Sequence, residues 1–184
     1  MEIIINAKAV SFTDSYEIAI DGKAGCYSAK RKLVDFDWVI QLMEKGNERP
    51  RMAMNKISSN SIHSYDITRW DNNVLAFRPN GNNYFCQCGD DQYDIYVHKG
   101  RKYSIFKNDV QIAFWDKNAE SWFSATHYKL VADNDCDFEL LICFCIIADN
   151  FAKDENGGSG VFNIDLGNHG TGFKEFDLNW RPKV

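Results

Sequence analysis

Asp137-Phe138-Glu139-Leu140-Leu141-Ile142-Cys143-Phe144-Cys145-Ile146-Ile147-Ala148-Asp149-Asn150-Phe151-Ala152 is the stretch on which the reading of this chain turns. From Leu140 to Ala148 every residue is apolar. At 100° per residue, a helix over this run carries apolar side chains around its whole circumference and has no stripe to turn toward water. Asp137 can cap the first turn, and Glu139 complements the positive end of a helix. A strand buried on both faces is the other reading, since Ile, Phe and Cys suit that state. Length favours the helix, because strands typically run 4–8 residues. A helix apolar on all sides must be buried on all sides, so the rest of the chain has to surround it.

The sequence upstream supplies strands. Tyr93–His98 leads through Lys99-Gly100 into Lys102–Phe106, and Lys107-Asn108-Asp109 turns the chain into Val110–Trp115. After a loop at Asp116–Glu120 come Trp122–Ser124 and His127–Ala132. Short strands at spacings of about 8–12 residues indicate an antiparallel barrel or sandwich rather than βαβ units. Asp21-Gly22 lies between Tyr16–Ile20 and Ala24–Ser28 and reads as a hairpin turn; Pro79-Asn80-Gly81 separates Val74–Arg78 from Tyr84–Gln87. Val34, Phe36, Trp38, Ile40 and Leu42 alternate as in a strand with one buried face, while Met43-Glu44-Lys45 keeps a helix over 34–46 open. Beyond the apolar run, Asp154–Gly160 reads as a solvated loop, and Val161–Leu166 and Phe173–Trp180 as two closing strands. No internal repeat or linker divides residues 1–184, so one domain is expected.

Composition agrees with a turn-rich β protein. The 184 residues are 45% hydrophobic and 26% charged, ordinary globular values that exclude disorder. There are 17 Asn and 18 Asp against 8 Glu, a balance that favours turns over helix interiors. The net charge of −5 removes the default electrostatic reason to bind nucleic acid, which is not expected as a partner. Met1–Asn6 lacks the basic start of a signal peptide, and the longest apolar run is about half the ~20 residues needed to span a bilayer. Six Cys in a chain of this length fit free thiols better than a disulfide scaffold, so a cytoplasmic location without a transmembrane segment is expected.

No catalytic motif is complete. Gly157-Gly158-Ser159-Gly160 approaches a nucleophile elbow but ends on Val161, and Gly167–Gly172 has neither the Lys-Ser/Thr end of a phosphate loop nor a helix after it. The histidines stand alone at 63, 98, 127 and 169. Cys86/Cys88 and Cys143/Cys145 have one-residue spacers, and on a helix the second pair would diverge by about 200°, so buried thiols are the simpler reading. Cys26 and Cys136 have no basic neighbour to make a thiolate.

Two polar groupings are candidate binding sites. Asp133, Asp135 and Asp137 would share one side of an extended chain and could attract Ca²⁺, although Phe138 and Phe144 occupy the places where an EF-hand loop needs Gly and Glu. A turn followed by a helix cap explains the same residues. Lys99, Arg101, Lys102 and Lys107 concentrate positive charge on one hairpin and could meet phospholipid head groups; the alternative is a solvated hairpin tip. Lys30-Arg31-Lys32 is a shorter basic run.

The order of these elements, antiparallel strands ending in a wholly apolar helix, resembles the tubby C-terminal-like superfamily, in its LURP-one-related and phospholipid scramblase-like branch. The residues that carry the resemblance are Lys102–Phe106 with Val110–Trp115, then Tyr128–Asp133, then Asp137-Phe-Glu-Leu-Leu through Ile147-Ala-Asp149, within residues 90–152. It implies a closed antiparallel barrel of about twelve strands around a central hydrophobic helix, with no catalytic constellation and no obligate cofactor. It also implies phosphoinositide binding through basic residues, and an acidic calcium-linked segment near Asp133, Asp135 and Asp137. The Phe-Pro that follows the acids in scramblases is absent, and their terminal membrane helix is not expected, since this sequence ends Asn179–Val184. The expected function is a non-enzymatic module that binds phospholipid peripherally or binds another protein. A lipocalin-type ligand barrel, whose amphipathic helix packs outside, and an enzyme without a recognisable motif are the alternatives.

Overall fold

In the computed structural model, residues 1–10, 13–34, 37–59, 62–118, 125–155 and 174–184 are described. Strands β1 (Glu2–Val10), β2 (Thr13–Ile20), β3 (Lys23–Val34), β4 (Asp37–Glu44), β5 (Met52–Ser59) and β6 (Ile62–Arg69) form the first half of a meander. It continues through β7 (Val74–Asn80), β8 (Asn83–Cys88), β9 (Asp91–His98), β10 (Lys102–Lys107), β11 (Val110–Asn118) and β12 (Ala125–Ala132). Each strand pairs antiparallel with its neighbours in sequence, and β1 closes the barrel on β12, with Ile3 opposite Leu130 and Ile5 opposite Tyr128. The segment around Trp38 is therefore a strand and not a helix.

Turn chemistry accounts for the tight hairpins. Asp21 and Gly22 have φ of 47° and 76°, and Asn108 and Asp109 have φ of 48° and 66°. Two successive left-handed residues match the twist of the flanking strands, and Asn, Asp and Gly adopt that conformation at least cost. The surplus of Asn and Asp over Glu is thus partly spent on the turns of the meander.

Inside the barrel lies α1 (Phe138–Glu155), and every side chain from Glu139 to Phe151 is buried. Its contacts point in all directions. Phe144 meets Phe77 of β7 and Tyr93 of β9 at ring distances of 5.3 and 5.6 Å, and Phe151 meets Tyr65 of β6 at 5.3 Å. On other sides, the Cys143 thiol approaches the Met52 sulfur of β5 at 3.5 Å, and the Tyr16 hydroxyl of β2 donates to Asp149 at 3.1 Å. Alternate strand residues such as Ile3, Ile5, Ile18, Met54, Ile67 and Ile95 complete the core around it. Each such side chain gains about 1.5–3 kcal/mol on leaving water, so the wall and the helix stabilise one another. The central-helix expectation is met.

The end of the chain departs from expectation. Asp154 and Glu155 belong to α1 rather than to a loop, because Ala152, Lys153 and Glu155 are good helix formers that carry the last turn onward. Trp122–Ser124, residues 156–160 and Val161–Leu166 fall outside the described residues. Lys174–Trp180 is not a strand: Asn179 N–H donates to Asp177 Oδ1 at 2.8 Å and Trp180 N–H to the Asp177 carbonyl at 3.3 Å, a side-chain-stabilised turn. A closed barrel has no edge left to receive another strand.

Residues 174–184 lie instead against the outside of β9–β11. Phe176 packs edge-on to His98 at 5.3 Å and to Phe114 at 5.5 Å. His98 is 3% exposed although it points away from the helix, and Nε2 lies 2.7 Å from the Ser104 hydroxyl. Burial pushes the His98 imidazole down from 6.5 to about 4. The native state therefore holds His98 neutral; the stability it contributes is complete above the usual value and is lost as pH falls from about 6.5 toward about 4. NMR titration of the ring protons is expected to place His98 near pH 4 in the native chain and closer to 6.5 in Phe176→Ala. An unperturbed midpoint in the native chain would show that the C-terminal segment does not cover it.

Candidate functional site

The barrel has two chemically distinct ends. At the end where α1 begins, the N–H of Leu140 donates to Asp137 Oδ1 at 3.1 Å, which is a helix cap, and Arg69 of β6 pairs with the other carboxylate oxygen at 2.5 Å. One helical step on, Glu139 accepts from the Tyr27 hydroxyl of β3 and from Arg51 Nε, each at 2.8 Å. Burial and the Glu139 carboxylate push the Tyr27 hydroxyl well above its usual value. These contacts seat a polar helix start among strand side chains; no nucleophile is activated by them.

The three aspartates do not converge. Asp133 is 1% exposed and accepts from the Lys183 N–H at 2.7 Å, Asp137 is the cap, and Asp135 is exposed. The segment bends instead of running extended, with Cys136 N–H directed at the Asp133 carbonyl at 3.4 Å, so the alternation that would align the carboxylates is lost. Among the described residues no group of three or more His, Cys, Asp or Glu side chains is placed to hold a metal ion. The cysteines are free thiols; burial raises Cys86 to about 12 and Cys136 to about 11, which leaves neither a reactive thiolate at neutral pH.

At the end where α1 finishes, Asp149 has a fully buried side chain and sits 3.1 Å from Lys117 Nζ of β11. Asn150 donates to the Tyr16 hydroxyl at 3.1 Å and to the Ile146 carbonyl at 2.8 Å, and accepts from Arg31 Nη2 of β3 at 3.2 Å. Burial and the charge of Asp149 push the Tyr128 hydroxyl far up. This cluster caps the interior, with Asp149 and Asn150 both paired to side chains of the barrel wall.

The basic hairpin is split by its own length. Lys99 and Arg101 are exposed in the β9–β10 turn, at the end where α1 finishes. Lys102 begins β10, lies 3.7 Å from Asp116 of β11 and 5.3 Å from the Phe176 ring centroid. Lys107 ends β10, five residues or about 16 Å along the strand, where it pairs with Asp91 at 2.8 Å and holds that carboxyl below its usual value. The structure thus brings together three of the four basic residues and places Lys107 at the opposite end of the barrel.

The same end displays a feature that alternation does not reveal. Leu33, Val34 and Trp38, on the distal part of the β3–β4 hairpin, are 58%, 38% and 54% exposed. Leu33 lies opposite Trp38 in the ladder, two residues beyond Arg31, where β3 meets the end of α1. Lys30 and Lys32 are exposed beside them. The only sequence signal is the basic run adjoining the apolar positions, since period-2 patterning alone puts Trp38 inside.

No protein-family profile, no curated protein and no solved structure matches the chain. Among the described residues no helix is long and apolar enough to cross a membrane.

Proposed function

We propose that this chain is a non-enzymatic β-barrel module of the tubby and LURP-one-related kind, which attaches peripherally to anionic phospholipid surfaces by the barrel end at which α1 finishes. The observation that carries this reading is the coexistence there of exposed Lys99, Arg101, Lys30 and Lys32 with exposed Leu33, Val34 and Trp38. Near an anionic surface each Lys or Arg contributes on the order of 1 kcal/mol, and an aromatic-aliphatic tip adds apolar burial at the headgroup level. Asp37, exposed at the tip, subtracts from this charge. The overall charge of −5 does not prevent local attraction, because screening confines each charge to about 10 Å. A closed barrel around a helix is what the resemblance calls for, and a helix in the interior leaves that space unlike the open cavity of a lipocalin.

Co-sedimentation with phosphatidylserine or phosphoinositide vesicles tests this. Weak binding at low salt, reduced at physiological salt, is expected. The triple change Lys99→Gln, Arg101→Gln, Lys102→Gln should remove most of it, and Trp38→Ala should weaken it several-fold. Lys107→Gln should leave it unchanged, since that side chain pairs with Asp91 at the far end. Lys99 and Arg101 are exposed and the Lys102–Asp116 pair at 3.7 Å adds at most about 1 kcal/mol, so the melting temperature should fall by no more than a few degrees. Absence of binding, or equal loss with Lys107→Gln, rejects the reading.

A further inference from the structure

Tyr96, Phe106 and Phe114 stand half-buried on the outer face of β9–β11, and all three meet side chains of residues 174–184. Lys174 Nζ lies 4.0 Å from the centroid of the Phe106 ring and 5.4 Å from that of Tyr96, and reaches Asp109 at 3.1 Å. Phe176 is held edge-on by His98 and Phe114. Trp180 packs edge-on to Phe114 at 5.8 Å, and its indole N–H donates to the Gln111 carbonyl at 3.2 Å. Main-chain bonds complete the seat, with Asn134 N–H donating to the Lys183 carbonyl at 3.2 Å and Lys183 N–H to Asp133 at 2.7 Å.

Those are the contacts of a bound peptide: a cation over rings, two aromatic anchors, and main-chain hydrogen bonds at the far end. None is part of the barrel ladder, which closes through β1 and β12 without the segment. We propose that the outer face of β9–β11 is a peptide-binding groove for a cationic-aromatic segment with Lys, Phe and Trp spaced as in Lys174, Phe176 and Trp180. The chain's own residues 174–184 occupy it in cis, and a partner presenting such a segment competes for it. A tethered segment acts at an effective concentration of order mM, so a free peptide is excluded until the cis contacts are weakened.

The probe is a fluorescein-labelled peptide of residues 174–184, followed by anisotropy. The full chain carrying Phe176→Ala and Trp180→Ala should bind it saturably, and the native chain at least tenfold more weakly. The same peptide with both aromatic residues changed to Ala should not bind, and Phe114→Ala added to the double variant should abolish binding. A double variant that melts cooperatively yet binds no peptide overturns the proposal, as does equal binding by the native chain. If the double variant does not fold, Phe176→Ala alone takes its place. Failure of both to fold also overturns it, because the segment would then be core and not an occupant.

Discussion

Aspartate at Ile142, and equally at Phe144, is expected to abolish folding. The two side chains are fully buried and lie about 160° apart around α1, so no rotation of the helix can release both to solvent. Phe144 is wedged between Phe77 and Tyr93, and its neighbour Cys143 touches Met52, on different strands of the wall. A carboxylate there would lose its hydration among apolar side chains, a cost of several kcal/mol against a total stability of about 5–15 kcal/mol. Truncation is milder: Ile142→Ala should cost about 2–5 kcal/mol and Phe144→Ala about 3–5 kcal/mol, read from urea denaturation. Asp135→Asn, at an exposed position, is the matched control and should be neutral within about 0.5 kcal/mol. A cooperative melt from either aspartate variant would put that face of the helix in water and remove the central-helix architecture.

What the sequence makes legible follows from short periods. The helix shows itself because nine consecutive apolar residues cover its circumference, and the strands because Asn, Asp and Gly punctuate them at hairpin spacing. Closure is not local: β1 meets β12 through Ile3, Ile4 and Ile5 opposite Leu130, Lys129 and Tyr128, and no nearby residue announces that pairing. The basic hairpin reads as one patch because adjacency in sequence hides a strand's length, and Lys107 ends up with Asp91 instead of Arg101. The aspartates of 133–137 align only in an extended chain, and the chain turns there. Phe173–Trp180 has a strand's composition but arrives after the ladder is closed, so Phe176 and Trp180 pack on the outer wall instead. In each case the missing information is a contact across the barrel, which a local pattern cannot contain.

The pair Lys117 and Asp149 is such a contact, 32 residues apart in sequence and 3.1 Å apart in space, and its disruption carries the second large expected effect. Asp149 lies in the second half of α1, and its side chain is wholly buried. Tyr16 donates one hydrogen bond to it, but a neutral hydroxyl supplies no compensating charge. Lys117, 19% exposed and also 5.5 Å from the Tyr128 ring, is the cation that makes the buried charge tolerable. Lys117→Met keeps most of the apolar stem and removes the ammonium with its hydrogen bond, and should cost about 3–5 kcal/mol. Asp149→Asn should cost less, about 1–2 kcal/mol, because the lysine left behind can turn its ammonium toward water while the amide keeps a hydrogen bond to Tyr16. The double variant should then be more stable than Lys117→Met alone, since the buried carboxylate is gone. Urea denaturation of the four chains at neutral pH closes the cycle. A loss below about 0.5 kcal/mol for Lys117→Met, or strict additivity in the double variant, would mean that water or another group neutralises Asp149 and that the ion pair does not fasten the end of the helix to the barrel wall.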